Sequence, residues 1–147
     1  MYQRILVATD GSTLSKKAVR SAIELAGATG ASLVALNVVP RYPVTYFEGG
    51  VTISNEDVSR IEKKWADDGQ AIVDAVQQAA QAAGVKAKAV IARSDLVAES
   101  ILAAAKKHKC ELIVMASHGR KGIKRLLLGS ETQHVLTRSS IPVLVLR

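Results

Sequence analysis

The chain of 147 residues is 48% apolar and only 3% aromatic, with a net charge of +7 and a pI near 9.8. That length suits one domain able to bury about two thirds of its unfolded surface, which excludes a disordered chain and a small disulfide-held fold. Cys110 is the single cysteine and His108, His118 and His134 lack metal-ligand spacing, so neither a disulfide framework nor a zinc or iron–sulfur cluster is expected. No stretch approaches the roughly 20 uninterrupted apolar residues of a membrane span, and the chain opens on strand-like YQRILVA rather than a signal peptide. A cytoplasmic protein is expected. The basic balance favours polyanionic partners, but the basic residues are scattered and read mainly as solvated helix faces.

Residues 3 to 8, RILVA and its neighbours, hold a continuous apolar run from Ile5 to Ala8 closed by Thr9-Asp10-Gly11-Ser12, a strand ending in a turn. From about Ser15, the positions Ala18, Val19, Ala22, Ile23 and Ala26 recur at helical spacing until Gly27 and Gly30. SLVALNVV is the second strand, stopped by Pro40. Residues 40 to 54 hold Pro40, Pro43, Gly49 and Gly50 with Tyr42, Tyr46 and Phe47, and predict one long irregular connection, read as a lid or partner surface.

Asn55 is expected to cap a long helix whose apolar stripe runs from Val58 through Trp65 and Val76 to a stop at Gly84, with a bend at Gly69. VKAKAVIA sets Val85, Ala87, Ala89 and Ile91 against Lys86 and Lys88, the pattern of a half-exposed strand near a sheet edge. Ser94 or Asp95 should cap a third helix ending in KKHK, whose charges suit a helix C-terminus. ELIVMAS is a buried strand, Gly129 to about Ser139 a fourth helix, and PVLVLR a last strand. Strict β-α alternation and right-handed crossovers predict an α/β fold: a doubly wound five-stranded parallel sheet with helices on both faces. Ligands of such sheets bind beyond the carboxyl ends of the strands where strand order reverses, which directs attention to the segments after strands one and four.

Three signatures are missing: no G-x-G-x-x-G follows the first strand, no G-x-x-x-x-G-K-[ST] occurs, and there is no G-x-S-x-G elbow. A Ser117, His118 and Asp10 trio could be assembled, but nearly any basic α/β protein offers one. MASHGRKGIKRLLLGSET, residues 115 to 132, has firmer content. Gly119 and Gly122 allow backbone amides to approach an anion, Gly129-Ser130 stands at a helix start that favours phosphate, and Arg120, Lys121, Lys124 and Arg125 supply countercharge. A structural loop is an equal alternative, because Ser130 with Gln133 matches a capping box.

RILVATDGS, ALNVV and VMASHGRKGIKRLLLGS together resemble the universal stress protein family along essentially the whole chain. The expected sheet is Rossmann-like with strand order 3-2-1-4-5, in a single domain spanning residues 1–147. Nucleotide-binding members of that family carry G-x-x-G, nine residues, then G-[ST]; the matching positions are Ala116, Gly119, Gly129 and Ser130, with alanine at the first. The resemblance implies ATP as ligand. Ala8, Thr9 and Asp10 would line the ribose and phosphate side, Val38 would offer its backbone to adenine, and Met115 and Ala116 would flank the ribose. Gly119 would contact phosphate, and Gly129 and Ser130 would donate to the phosphate chain, with Glu131 and Thr132 following on the helix. Asp10 could touch the ribose or a phosphate-bound Mg²⁺, a cation that prefers oxygen ligands; it could equally hold its own turn.

The resemblance also implies a homodimer through the final strand, residues 142–147, whose apolar edge would otherwise be exposed. The leading functional expectation is an ATP-binding, nucleotide-dependent stress-response switch or scaffold with an unidentified protein partner, and not an enzyme. One alternative is slow ATP hydrolysis, for which Asp10 and His118 are the only candidate groups. Another is a nucleotide-free dimer that binds proteins or nucleic acid; nucleic acid is disfavoured because five aromatics supply few stacking platforms.

Overall fold

A computed structural model describes residues 1–43, 54–119 and 128–147. The elements are β1 (Arg4–Ala8), α1 (Thr13–Thr29), β2 (Ser32–Val39), α2 (Asn55–Ala82), β3 (Ala87–Arg93), α3 (Val97–Lys107), β4 (Leu112–Ala116), α4 (Ser130–Arg138) and β5 (Val143–Leu146). The strands form one parallel sheet in the order β3-β2-β1-β4-β5, as the strand and helix alternation predicts. Consecutive strand residues face opposite sides, so one apolar run feeds two cores. Ile5, Val7, Leu33, Ala35, Leu112 and Val114 pack beneath α1 and α2. Leu6, Val34, Leu36, Ile113 and Met115 pack beneath α3 and α4. The central strands are therefore apolar on both faces, and full burial of each large aliphatic side chain contributes about 1.5–3 kcal/mol.

The helices show where local reading succeeds and where it misses. Ser12 caps α1 through its side chain, and Gly30, with φ of 74°, ends it in a left-handed turn. Ser54, not Asn55, caps α2, accepting the Asp57 amide. Gly69 does not interrupt α2, which is one continuous helix. Its role is close approach: a Cβ there would stand 2.6 Å from Asn37 Oδ1 and 2.8 Å from Val39 Cγ2.

Neither Ser94 nor Asp95 caps α3. The capping position is Leu96, which has no side-chain acceptor. Ser94 Oγ accepts the Leu96 amide, Asp95 accepts the Arg41 amide, and the Ala98 amide donates to Glu131 of α4. Tertiary packing brings the acceptor from another helix, which no local pattern could show. β3 is an edge strand with Lys86 and Lys88 exposed, but beyond them Val90 and Ala92 join the second core, so only its first half is exposed on that face. The proposed lid falls mainly on residues 44–53, outside the described residues. Tyr42, at its near end, stacks on Trp65 of α2 at a ring separation of 6.1 Å. No described helix is long and apolar enough to cross a membrane.

Cys110 is buried just before β4. Burial pushes its thiol up from 9.0 to about 11, with Arg4 opposing and Glu111 adding to the shift. The thiolate is the nucleophile, so alkylation of the native protein near neutral pH should be slow and should accelerate sharply in denaturant. The sign of the pH effect follows: below pH 9 both states hold the proton, whereas between 9 and 11 the unfolded thiol ionises first, and stability falls as pH rises. Denaturant midpoints across that window should drop more for the native sequence than for Cys110→Ala.

Candidate functional site

Between β1 and β4 the strand order reverses, and there the two following segments part. A cavity of about 600 Å³ opens at this point, and all eleven residues expected to bind nucleotide line it. Among the described residues the buried polar side chains are Thr9, Ser15, Asn37, Ser117 and Thr132, and all of them gather at this end of the sheet. Every one has a hydrogen-bond partner. A buried polar group without a partner would be costly, so this cluster forms a fully satisfied frame that fixes the walls.

The first wall grows out of β1. Ala8 ends the strand and the Thr9 amide donates to Leu36 O at 2.9 Å, extending the pairing by one residue. Thr9 Oγ1 shares a 2.9 Å hydrogen bond with Ser15 Oγ and accepts the Gly11 amide, while the Thr9 carbonyl accepts Asn37 Nδ2 at 2.8 Å. Gly11 takes φ of 78°, a conformation that glycine adopts at little cost, and this turns the chain into α1. Asp10 Oδ1 accepts the Ser12 amide at 2.9 Å, so the carboxylate does hold its own turn. Its other oxygen lies 2.8 Å from where a Cβ on Gly119 would stand. Gly119 therefore leaves room beside a carboxylate at the cavity wall.

The opposite wall is built by β4 and α4. The Ser117 amide donates to Leu146 O, and the Ser117 carbonyl accepts the Gly129 amide at 2.8 Å. This bears on one expectation: the Gly129 N–H, expected to donate to a phosphate chain, is engaged within the fold by Ser117. Gly129 is the residue preceding α4, with extended φ and ψ of −62° and 154°, and no side chain among the described residues caps the helix. Any residue could adopt that backbone. The constraint on Gly129 is space, since a Cβ would meet His118 Cα and Ser117 O at 3.3 Å.

Ser130 is consequently the first helical residue and not the cap, and Gln133 does not complete a capping box; its Nε2 donates to Leu128 O. Helix geometry leaves the first amides of α4 without intrahelical acceptors, and the helix dipole adds partial positive charge there. The glycine that precedes the helix supplies no oxygen to occupy them. These first-turn amides belong to Ser130, Glu131 and Thr132, all three of which line the cavity.

The side chains of two expected residues look elsewhere. Glu131 caps α3 through the Ala98 amide at 3.0 Å, and Thr132 Oγ1 donates to the Ala116 carbonyl at 3.0 Å. Thr132 thus ties α4 to the end of β4. In Thr132→Val the carbonyl loses its partner in a buried setting, at a cost of about 1–3 kcal/mol, measurable as a lower urea midpoint with an unchanged slope.

Val38, Met115 and Ala116 line the apolar part of the cavity together with Leu36, Val97 and Ile101. Sequence reading missed Ser15, Leu36, Asn37, Val97 and Ile101. Asn37 alone carried a visible signal, as the one strongly polar side chain inside the apolar run SLVALNVV. His118 lines the cavity, with Nδ1 3.1 Å from Ser117 Oγ. Arg120, Lys121, Gly122, Lys124 and Arg125 lie outside the described residues. Among the described residues no group of three or more His, Cys, Asp or Glu side chains could hold a metal ion.

A sequence model of the universal stress protein family matches residues 1–147. The chain belongs to this family. A curated relative, the universal stress protein YxiE of Bacillus subtilis, is 34% identical over 149 residues, covering 100% of each chain. UspA of Lactobacillus plantarum superimposes with a TM-score of 0.85 at 25% identity, covering 99% of this universal stress protein and 98% of that chain. Another universal stress protein, solved in complex with cAMP, is 28% identical with a TM-score of 0.65, covering 98% and 95%.

Proposed function

We propose that this universal stress protein binds ATP in the cavity between β1 and β4 and acts as a nucleotide-dependent stress-response switch or scaffold. The observation that carries this reading is the start of α4, which no described side chain caps: its amides border a cavity whose described polar frame is already satisfied, and an anion is the partner that suits them. The apolar lining from Val38, Met115 and Ile101 suits a base and ribose, and the cAMP-bound relative supports adenine as that base. The space kept by Gly119 and Gly129 is the kind of cradle a phosphate chain needs, so the residues present fit the ligand.

Asp10, at the wall next to Gly119, is the carboxylate that would help hold Mg²⁺ brought by the phosphates. Its Oδ1 is engaged by the Ser12 amide, which orients the group. The switch operates without catalysis, since binding alone shifts the balance between conformations when one of them is favoured. A homodimer through β5 completes the reading. That strand pairs with β4 and, among the described residues, has no strand on its other side; Leu144 on it is 40% exposed.

Thermal unfolding with ATP and Mg²⁺ tests the proposal. A ligand that binds only the folded state stabilises it by about 2.7 kcal/mol at a hundredfold excess over Kd. For a domain of this size that corresponds to a rise of roughly 5–10 °C in Tm. The absence of any shift at millimolar ATP with Mg²⁺ would sink it.

A further inference from the structure

At the amino ends of the same strands lies a second concavity, of about 450 Å³, formed by β1, β2, β3 and the end of α3. Five cations line it: Arg4 from β1, Lys86 and Lys88 beside and on β3, and Lys107 and Lys109 at the end of α3. No carboxylate is among the described lining residues. None of the five takes part in an ion pair among the described residues, in contrast to Lys63 and Lys64 of α2, which pair with Asp67 and Asp68. Glu111, two residues beyond Lys109, accepts the Gln3 amide at 2.8 Å. A rounded cavity of this volume is about 10 Å across, close to the Debye length at physiological salt, so salt screens these charges from one another only in part.

His108 sits among the cations, its carbonyl accepting Arg4 Nη1, and its pKa is lowered, first by burial and then by Lys88, Lys107 and Arg4. Lys109 is the left-handed residue that closes the end of α3, where the Cys110 amide donates to Ala105 O at 2.8 Å. It holds φ of 54°, the one positive φ at a non-glycine residue among the described residues. Glycine or asparagine would end the helix there at lower cost. Two lysines at the end of α3 could be explained by the helix dipole alone, but Arg4 and Lys88 come from strands and Lys86 stands just before β3, and these owe nothing to that helix.

We infer that this concavity is a second binding site, for a small multiply charged phosphate anion, at the opposite end of the sheet from the nucleotide cavity. Lys88 and Lys107 are its central contacts, and Arg4, braced on the His108 carbonyl, is its oriented guanidinium. A compact oligophosphate fits better than a nucleic acid strand, because the patch is concave and no Phe, Tyr or Trp is among its described lining residues. The inference does not depend on ATP binding at the other site.

The test is titration of inorganic tripolyphosphate into the isotope-labelled full chain at physiological salt, followed by NMR with and without ATP. Amide shifts are expected at Arg4, Ala87, His108 and Lys109, unchanged by ATP. The His108 imidazole pKa should rise on binding, because the anion offsets the cations that oppose protonation. The double variant Lys88→Gln/Lys107→Gln should weaken binding about tenfold, whereas Lys63→Gln/Lys64→Gln, with the same charge change, should not. The inference is overturned by shifts confined to Gly119 and Ser130, by equal loss in both double variants, or by tighter binding of a single-stranded oligonucleotide or an anionic vesicle than of tripolyphosphate.

Discussion

Gly129→Val should abolish the ATP-dependent rise in melting temperature while leaving the unliganded protein folded. A Cβ at this position already meets His118 Cα and Ser117 O at 3.3 Å, and the two further carbons of valine have only the cavity or the start of α4 to enter. The backbone φ and ψ suit any residue, so the damage is steric and local. Without ligand the variant should lose about 1–3 kcal/mol, the usual range for overpacking. With ATP and Mg²⁺ the native chain should gain roughly 5–10 °C and the variant nothing. An undiminished gain in Gly129→Val would mean that the phosphates do not lie against the start of α4. Gly129→Ala, which adds only the Cβ, should retain part of the effect.

Gly69→Val is expected to lower the melting temperature by about 6–12 °C, from a loss near 3 kcal/mol. Replacing glycine inside a helix by alanine ordinarily stabilises by roughly 0.5–1 kcal/mol. At Gly69 that gain is outweighed, because the first added carbon already stands 2.6 Å from Asn37 Oδ1 and 2.8 Å from Val39 Cγ2. Gly27 of α1 provides the contrast: there a Cβ meets only Val85 Cγ2, at an ordinary 3.8 Å, so Gly27→Ala should be stabilising. Gly69→Val should also weaken nucleotide binding, since Asn37 holds the Thr9 carbonyl at the cavity wall. Calorimetry on the three proteins decides the matter. A Gly69→Val protein as stable as the native chain would show that α2 can retreat from β2 without penalty.

The order of elements was legible because each buried strand is a short run of aliphatic residues and each helix carries its stripe at helical spacing. SLVALNVV coincides with β2, and ELIVMAS contains β4. The positions lining the cavity were legible too, through the resemblance of two loop motifs, but their individual tasks were not. Gly129 was expected to donate to phosphate and is engaged within the fold by Ser117 O; Ser130 and Gln133 matched a capping box that does not form. Both readings treated the helix start as a local affair, whereas its amides are arranged by the return of the chain from β4.

By itself the sequence determined the class of fold, the family, and which residues line the cavity beyond β1 and β4, because these rest on periodicity and short motifs that act within a few residues. Only the tertiary structure decided how far apart things end up. It set Glu131 of α4 as the cap of α3, Gly69 against Asn37, and Arg4, Lys86, Lys88, Lys107 and Lys109 around one concavity. Those cations looked scattered along the chain. The parallel sheet brings the starts of β1, β2 and β3 side by side, and charges separated by dozens of residues become neighbours through that packing alone.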